Sequence, residues 1–167
     1  GFFETTFAAS VLAAISRSQR QSVDRPLVEC LEAFIAEERQ HTDWWLRLNR
    51  LSSPELYADT DRAVIRVSVL PRFLLRQLTN HPFAFPFVYW VMLALEERSL
   101  DISRRCLRMP TDQIEPRYAA IYRTHLAHEV RHVHIDWHLI DRFYAQRSSA
   151  VRRRAEYCGG SAFTQRR

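Results

Sequence analysis

The chain contains little of what builds flexible, disulfide-bonded or hairpin-rich structures. Only three of its 167 residues are glycine, and no Asn-Gly or Asp-Gly pair is present to form a tight hairpin turn. Hydrophobic residues make up 47% of the chain, which excludes a disordered or low-complexity protein. The length suits one domain with a sizeable core, so we expect a single all-α domain over residues 1–167.

Cysteine is equally scarce. Cys30, Cys106 and Cys158 are odd in number and far apart, and they form no Cys-x-x-Cys motif. This pattern argues against a disulfide framework and favours a reducing, cytoplasmic compartment. The sequence shows no signal peptide and no run of about 18 apolar residues that could span a membrane. It begins at Gly1 without an initiator Met, as a trimmed piece of a longer protein would.

Positive charge is the one excess in the composition. The formal net charge is +5, and arginines are concentrated in residues 147–167. A basic tail can bind nucleic acid or an acidic surface, but here no aromatic residues alternate with the arginines as in a nucleic-acid site. We therefore expect residues 147–167 to be a solvated basic tail, and we expect neither a nucleic-acid nor a membrane partner.

The apolar periodicity predicts four long helices and one shorter helix. Asp24 is suited to cap the second helix, with Pro26 in its first turn, and Pro71 is expected to interrupt or bend the shorter helix. The expected helices cover residues 2–19, 24–50, 61–77, 86–108 and 116–146.

The last of these helices carries an unusual face. His125, Glu129, His132 and Asp136 follow one another at helical spacing along a stripe that is otherwise apolar. Ionisable groups inside a protein are almost always paired or bound to a metal. We therefore expect this face to bind a metal ion, with partners supplied by the other helices.

Each of the other long helices offers such a partner. Glu38 and His41 share the apolar face of the second helix, and Glu4 falls on the apolar stripe of the first, although alone it is typical of a first-turn glutamate. In the long helix over residues 86–108 either Glu96 or Glu97 could turn inward, and we assign Glu97 as the ligand.

Taken together, these residues form the pattern of a di-iron carboxylate bundle. Two helices each supply a glutamate, and two others each supply a Glu-x-x-His pair, whose carboxylate and imidazole point the same way. Carboxylate and imidazole ligands suit iron or manganese. The ligands predicted on this basis are Glu4, Glu38, His41, Glu97, Glu129 and His132.

The same order of motifs resembles the ferritin-like di-iron proteins, which include ribonucleotide reductase small subunits and bacterial multicomponent monooxygenases. Two features differ from most of them. Glu37 and His128 stand where Asp is usual, and His125 precedes Glu129 by one turn. The resulting His-x-x-x-Glu-x-x-His motif, His125 to His132, resembles the AurF-type p-aminobenzoate N-oxygenases, and the resemblance covers residues 2–146.

This resemblance implies a ferritin-like four-helix bundle with additional short helices, and it adds His125 as a seventh ligand. The implied cofactor is two iron ions, with manganese as a substitute. The implied activity is O2-dependent oxygenation of an arylamine to a hydroxylamine or nitro product, with an electron donor or reductase as partner; a homodimer is compatible with this interpretation. Three further residues would contact the ligands without binding the metal. The carboxylates of Glu37 and Asp136 would accept hydrogen bonds from the ligand imidazoles and orient them, and Arg131 would pair with one of these carboxylates.

Other functions fit the same residues. A ferritin-like di-iron protein could perform C–H hydroxylation or desaturation, or it could bind iron without catalysis. In a purely structural bundle the motifs would be coincidental. His134 and His138 could form a surface metal site or belong to an exposed histidine-rich face, and the role of His128 stays open.

Overall fold

A computed structural model describes residues 4–20, 24–57 and 68–145, with the side chains of residues 4 and 5 excepted. All regular secondary structure in these ranges is helical, as predicted. The helices are α1 (Ala9–Gln19), α2 (Arg25–Ser52), α3 (Pro54–Tyr57), α4 (Val69–Asn80), α5 (Phe87–Leu107) and α6 (Pro116–Leu139). A π-helical segment, Glu4–Ala8, precedes α1, and another, Ile140–Ala145, extends α6.

Helix starts follow the local signals in the sequence. The Asp24 side chain accepts a hydrogen bond from the Leu27 amide at 3.3 Å, which confirms the predicted N-cap of α2. The prediction for the shorter helix was partly wrong. Pro71 lies in the first turn of α4, where its missing amide costs no hydrogen bond, so the helix is neither interrupted nor bent there. Residues 61–67 of that prediction, and the basic tail, lie outside the described residues.

The helices pack as two pairs. α5 lies along α6, α1 lies along α2, and α2 also contacts α6. The apolar stripe predicted for the first helix is buried throughout, at Phe7, Ala8, Val11, Leu12 and Ile15. The same core includes buried apolar residues of α2, α5 and α6. Burying each large apolar side chain contributes about 1.5–3 kcal/mol, so this core stabilises the packing of these helices. In the described ranges, no helix combines the length and apolarity needed to cross a membrane.

Candidate metal centre

Seven ionisable side chains are buried together where α2, α5 and α6 meet. Their burial follows from helical spacing, because residues three or four positions apart on one helix point the same way. None of them is more than 5% exposed. We call this group the buried cluster; its members are Glu38, His41, Glu96, His125, Glu129, His132 and Asp136.

The centre of the cluster consists of two Glu-x-x-His pairs. One atom from each of Glu38, His41, Glu129 and His132 lies within 4.8 Å of the others, which is compact enough for them to hold a metal ion. His41 Nδ1 lies 3.3 Å from Glu38 Oε1 and also 3.3 Å from Glu129 Oε1. His132 Nδ1 lies 3.2 Å from Glu38 Oε1. The two motifs, far apart in sequence, therefore face each other across the α2–α6 interface.

His125 also reaches this centre. Its Nε2 atom lies 3.0 Å from Glu129 Oε1, one helical turn away on α6. Trp45 and the His125 ring form a T-shaped pair at a centroid distance of 5.3 Å, and Phe34 stacks on the His132 ring at 3.7 Å. Aromatic side chains thus pack against two of the cluster histidines.

The structure corrects the choice of glutamate on α5. Glu96, not Glu97, joins the cluster, since Glu96 is 5% exposed and its Oε2 lies 3.8 Å from His132 Nδ1, whereas Glu97 is exposed. The buried face of α5 runs through Tyr89, Met92 and Glu96. Adjacent helical residues differ by about 100° in direction, so only one of the two glutamates can share that face.

Glu4 is placed only in part. Its backbone belongs to the π-helical segment Glu4–Ala8, which contacts α2, but its side chain lies outside the described residues. The assignment of Glu4 as a ligand stays a prediction.

Each of the three histidines directs one ring nitrogen to the cluster and the other to an outer partner. His41 Nε2 lies 3.0 Å from His128 Nδ1, and His132 Nε2 lies 2.9 Å from Glu37 Oε2. His125 Nδ1 lies 3.2 Å from the buried Ser103 Oγ. Such outer hydrogen bonds fix the tautomer and ring orientation of metal-binding histidines.

Some of the residues that contact the outer ring nitrogens were predicted from the sequence, and others were not. Glu37 lies where we expected it, and Arg131 donates a hydrogen bond to it at 2.5 Å. Ser103 was missed, although it lies on the buried face of α5, two turns beyond Glu96. Asp136 differs from expectation, because within the described part of the chain its carboxylate accepts no hydrogen bond from an imidazole of the cluster.

Many polar atoms of the cluster are buried without a hydrogen-bond partner among the described residues. Leaving a buried polar group unsatisfied costs about 1–3 kcal/mol, and a cation among them would remove that cost. The residues therefore fit a metal, and oxygen with imidazole nitrogen is a donor set suited to iron or manganese. The atoms are both carboxylate oxygens of Glu38 and of Asp136, Glu129 Oε2, His41 Nδ1, His125 Nε2 and His132 Nδ1.

Burial also sets the protonation of the cluster. Desolvation lowers the pKa of His125 to about 3, so this imidazole is neutral and its nitrogen can bind a metal. Burial opposes both shifts, but the adjacent His132 and His41 imidazoles lower the pKa of Glu38 to about 2, and the adjacent carboxylates raise the pKa of His132 to about 12. Desolvation raises the pKa of Glu129 to about 10. Metal binding would therefore release protons from His132 and Glu129.

The remaining histidines do not form a second centre. His134 and His138 are exposed, and His134 Nδ1 donates to the Val130 carbonyl at 2.6 Å. Among the described residues, the only group of histidine, cysteine and carboxylate side chains close enough to hold a metal is the one on α2 and α6.

Comparison with known proteins finds no relative: no protein-family model, no curated protein and no solved structure matches this chain. The function must therefore be argued from the cluster itself.

Proposed function

We propose that the protein binds two metal ions, iron or manganese, in the buried cluster and uses them to activate O2. The observation that carries this proposal is the position of two carboxylates between separate imidazoles. Glu129 directs Oε1 toward His125 at 3.0 Å and has Oε2 3.8 Å from His132 Nδ1. Carboxylates in such positions act as bridges between two ions in di-iron bundles.

The cluster divides into two ends around these bridges. What we call the two-histidine end consists of His41 Nδ1, His125 Nε2 and Glu129 Oε1. The one-histidine end consists of His132 Nδ1, Glu96 Oε2 and Glu129 Oε2. Glu38 Oε1 lies between them, at 3.3 Å from His41 Nδ1 and 3.2 Å from His132 Nδ1. Each end thus offers an imidazole and a carboxylate to one ion.

The protein's own contribution is to hold these ligands and to exclude bulk water. Iron bound by these residues would supply electrons for O2 activation, and an external donor would restore them after each turnover. Glu37, Ser103 and His128 lie within hydrogen-bond distance of the outer ring nitrogens of the three imidazoles, and hydrogen bonds there would leave the inner ring nitrogens for the ions. The burial of the ligands on α2, α5 and α6 would limit the escape of reactive oxygen species.

Amine N-oxygenation is the specific reaction that we propose. The proposal is supported by a third histidine, the feature in which the sequence resembles the arylamine N-oxygenases. The Nε2 atom of this residue, His125, lies 3.0 Å from Glu129 Oε1, close enough for both to bind one ion. The ferritin-like bundle is part of the same proposal, and its support is the helical packing that brings the two Glu-x-x-His pairs together.

Metal content tests the first part of the proposal. The metal-free chain is loaded anaerobically with Fe(II), freed of unbound metal, and measured by plasma mass spectrometry and Mössbauer spectroscopy. We expect two irons per chain in the wild type and in the Glu97→Gln variant, and fewer in the Glu96→Gln variant, because only Glu96 faces the cluster. An iron content of one or none in the wild type would refute the dinuclear centre.

Product analysis tests the second part. Iron-loaded protein is supplied with reductant, O2 and p-aminobenzoate, and the products are identified by mass spectrometry. A hydroxylamine or nitro product that contains oxygen from labelled O2 is expected. Consumption of O2 without an N-oxygenated product from any of a panel of arylamines would refute the reaction while leaving the metal centre intact.

A further inference from the structure

Asp136 is the one carboxylate of the buried cluster that has no assigned role among the bridges, the two ends or the outer hydrogen bonds. It is 1% exposed, and both of its oxygens are buried without a hydrogen-bond partner in the described ranges. It lies one turn beyond His132 on the ligand face of α6. On α6 it lies beyond His132, on the side away from His125, which places it nearest the one-histidine end.

Packing alone does not account for this residue. A buried carboxylate without a partner destabilises a protein whether it is ionised or protonated, because both forms lose hydrogen bonds to water. Burial and the nearby Glu96 raise the pKa of Asp136 well above its usual value, which reflects that cost. A cation would convert the same carboxylate into a favourable ligand.

The four-residue spacing of histidine and carboxylate occurs twice on α6. His125 and Glu129 are four residues apart, and this spacing brings His125 Nε2 within 3.0 Å of Glu129 Oε1. His132 and Asp136 repeat the interval on the same helical face, one heptad later. Helix α6 therefore carries two imidazole–carboxylate pairs, one for each end of the cluster.

We propose that Asp136 is a direct ligand of the ion at the one-histidine end and gives that end a preference for a hard divalent cation such as Mn²⁺. The proposal rests on the proposed metal-binding function. With Asp136, this end offers one imidazole beside the carboxylates of Glu96, Glu129 and Asp136, whereas the other end offers two imidazoles. Carboxylates suit manganese and magnesium, while imidazole suits iron and other later metals.

Competitive metal loading of the full chain tests this proposal. Metal-free protein is equilibrated anaerobically with Fe(II) and Mn(II) in equal excess, and bound metals are measured by plasma mass spectrometry and manganese EPR. We expect the wild type to retain both metals. Asp136→Asn keeps the side-chain volume but loses the charge, and it should weaken Mn(II) binding by more than about a hundredfold, beyond the 10- to 100-fold loss typical of residues that only support a ligand. Asp136→Ala removes the ligand oxygens and should behave alike.

The matched control is Asp141→Asn, an exposed aspartate on the segment that follows α6. It should bind both metals like the wild type. Unchanged manganese affinity in both Asp136 variants, with two metals still bound, would overturn the role of Asp136 and leave the metal centre standing. A wild-type protein that binds no metal would instead refute the proposed function.

Discussion

Replacing Glu129 by glutamine should separate the stability of the metal-free fold from metal binding. In the metal-free protein at pH 7 the pKa of about 10 leaves Glu129 protonated, and glutamine has the same shape and the same charge as the protonated acid. A volume-conserving substitution in a core costs less than about 1.5 kcal/mol. The metal-free variant should therefore unfold at a temperature within a few degrees of the wild type.

The metal-bound proteins should differ much more. An ion present at a hundred times its Kd stabilises the folded state by about 2.7 kcal/mol, so two such ions contribute about 5 kcal/mol. In a domain of this size each kcal/mol raises Tm by roughly 2–4 °C, which predicts a rise of about 10–20 °C for the wild type. Glu129 contacts both ends of the cluster, because its Oε1 lies 3.0 Å from His125 Nε2 and its Oε2 lies 3.8 Å from His132 Nδ1. If its loss weakens each ion about a hundredfold, the stabilisation falls to roughly 0.4 kcal/mol per ion and the rise in Tm to about 2–3 °C.

Differential scanning calorimetry measures these shifts in anaerobic Fe(II) or Mn(II) and in chelator-treated protein. Glu97→Gln is the control, since it makes the same chemical change at an exposed position and should keep the full metal-dependent shift. A Glu129→Gln variant that also keeps the full shift would refute the bridging role. A metal-free variant that melts far below the wild type would show that the Glu129 carboxyl is needed for packing.

Two further predictions concern the histidines of the two-histidine end and their support. The pKa of His125 is about 3 in the folded state and 6.5 in the unfolded state. As the pH falls from about 6.5 to 3, only the unfolded chain takes up this proton, so His125 lowers the free energy of unfolding between these two pH values. Urea unfolding of the metal-free protein should show His125→Gln gaining about 2 kcal/mol relative to wild type between pH 7 and pH 5, and an unchanged difference would contradict a neutral buried imidazole. Ser103→Ala should weaken metal binding about 10- to 100-fold in a chelator competition, because the His125 ring loses its outer hydrogen bond, whereas Ser99→Ala, elsewhere on α5, should not.

Much of the cluster was predictable because many of its residues belong to motifs within one helix. His125, Glu129 and His132 share a face through helical spacing, and so do Glu38 and His41, whichever way the helices pack. All five are buried together. The choice of Glu97 over Glu96 on α5 was wrong because it depended on packing between helices. Glu96 and Glu97 both follow an apolar run, and the rotation of α5 against α6 decides which of them turns inward.

The outer partners depended still more on tertiary contacts. His128 and His41 are 87 residues apart, and Glu37 and His132 are 95 apart, so no periodicity within one helix could pair them. The lack of a hydrogen-bond partner for Asp136 among the described residues was equally unpredictable. Its spacing on α6 is the same as that of the cluster residues that do have close partners.

The sequence by itself determined the helical class, the starts of α2 and α6, and which residues of α2 and α6 share a polar face, because each depends on neighbours within about one or two helical turns. The tertiary structure alone decided that these faces meet, which glutamate of α5 joins them, and which ring nitrogen of each histidine is left for a metal. Those outcomes depend on how helices distant in sequence pack around one core, which bond geometry within a single helix does not constrain.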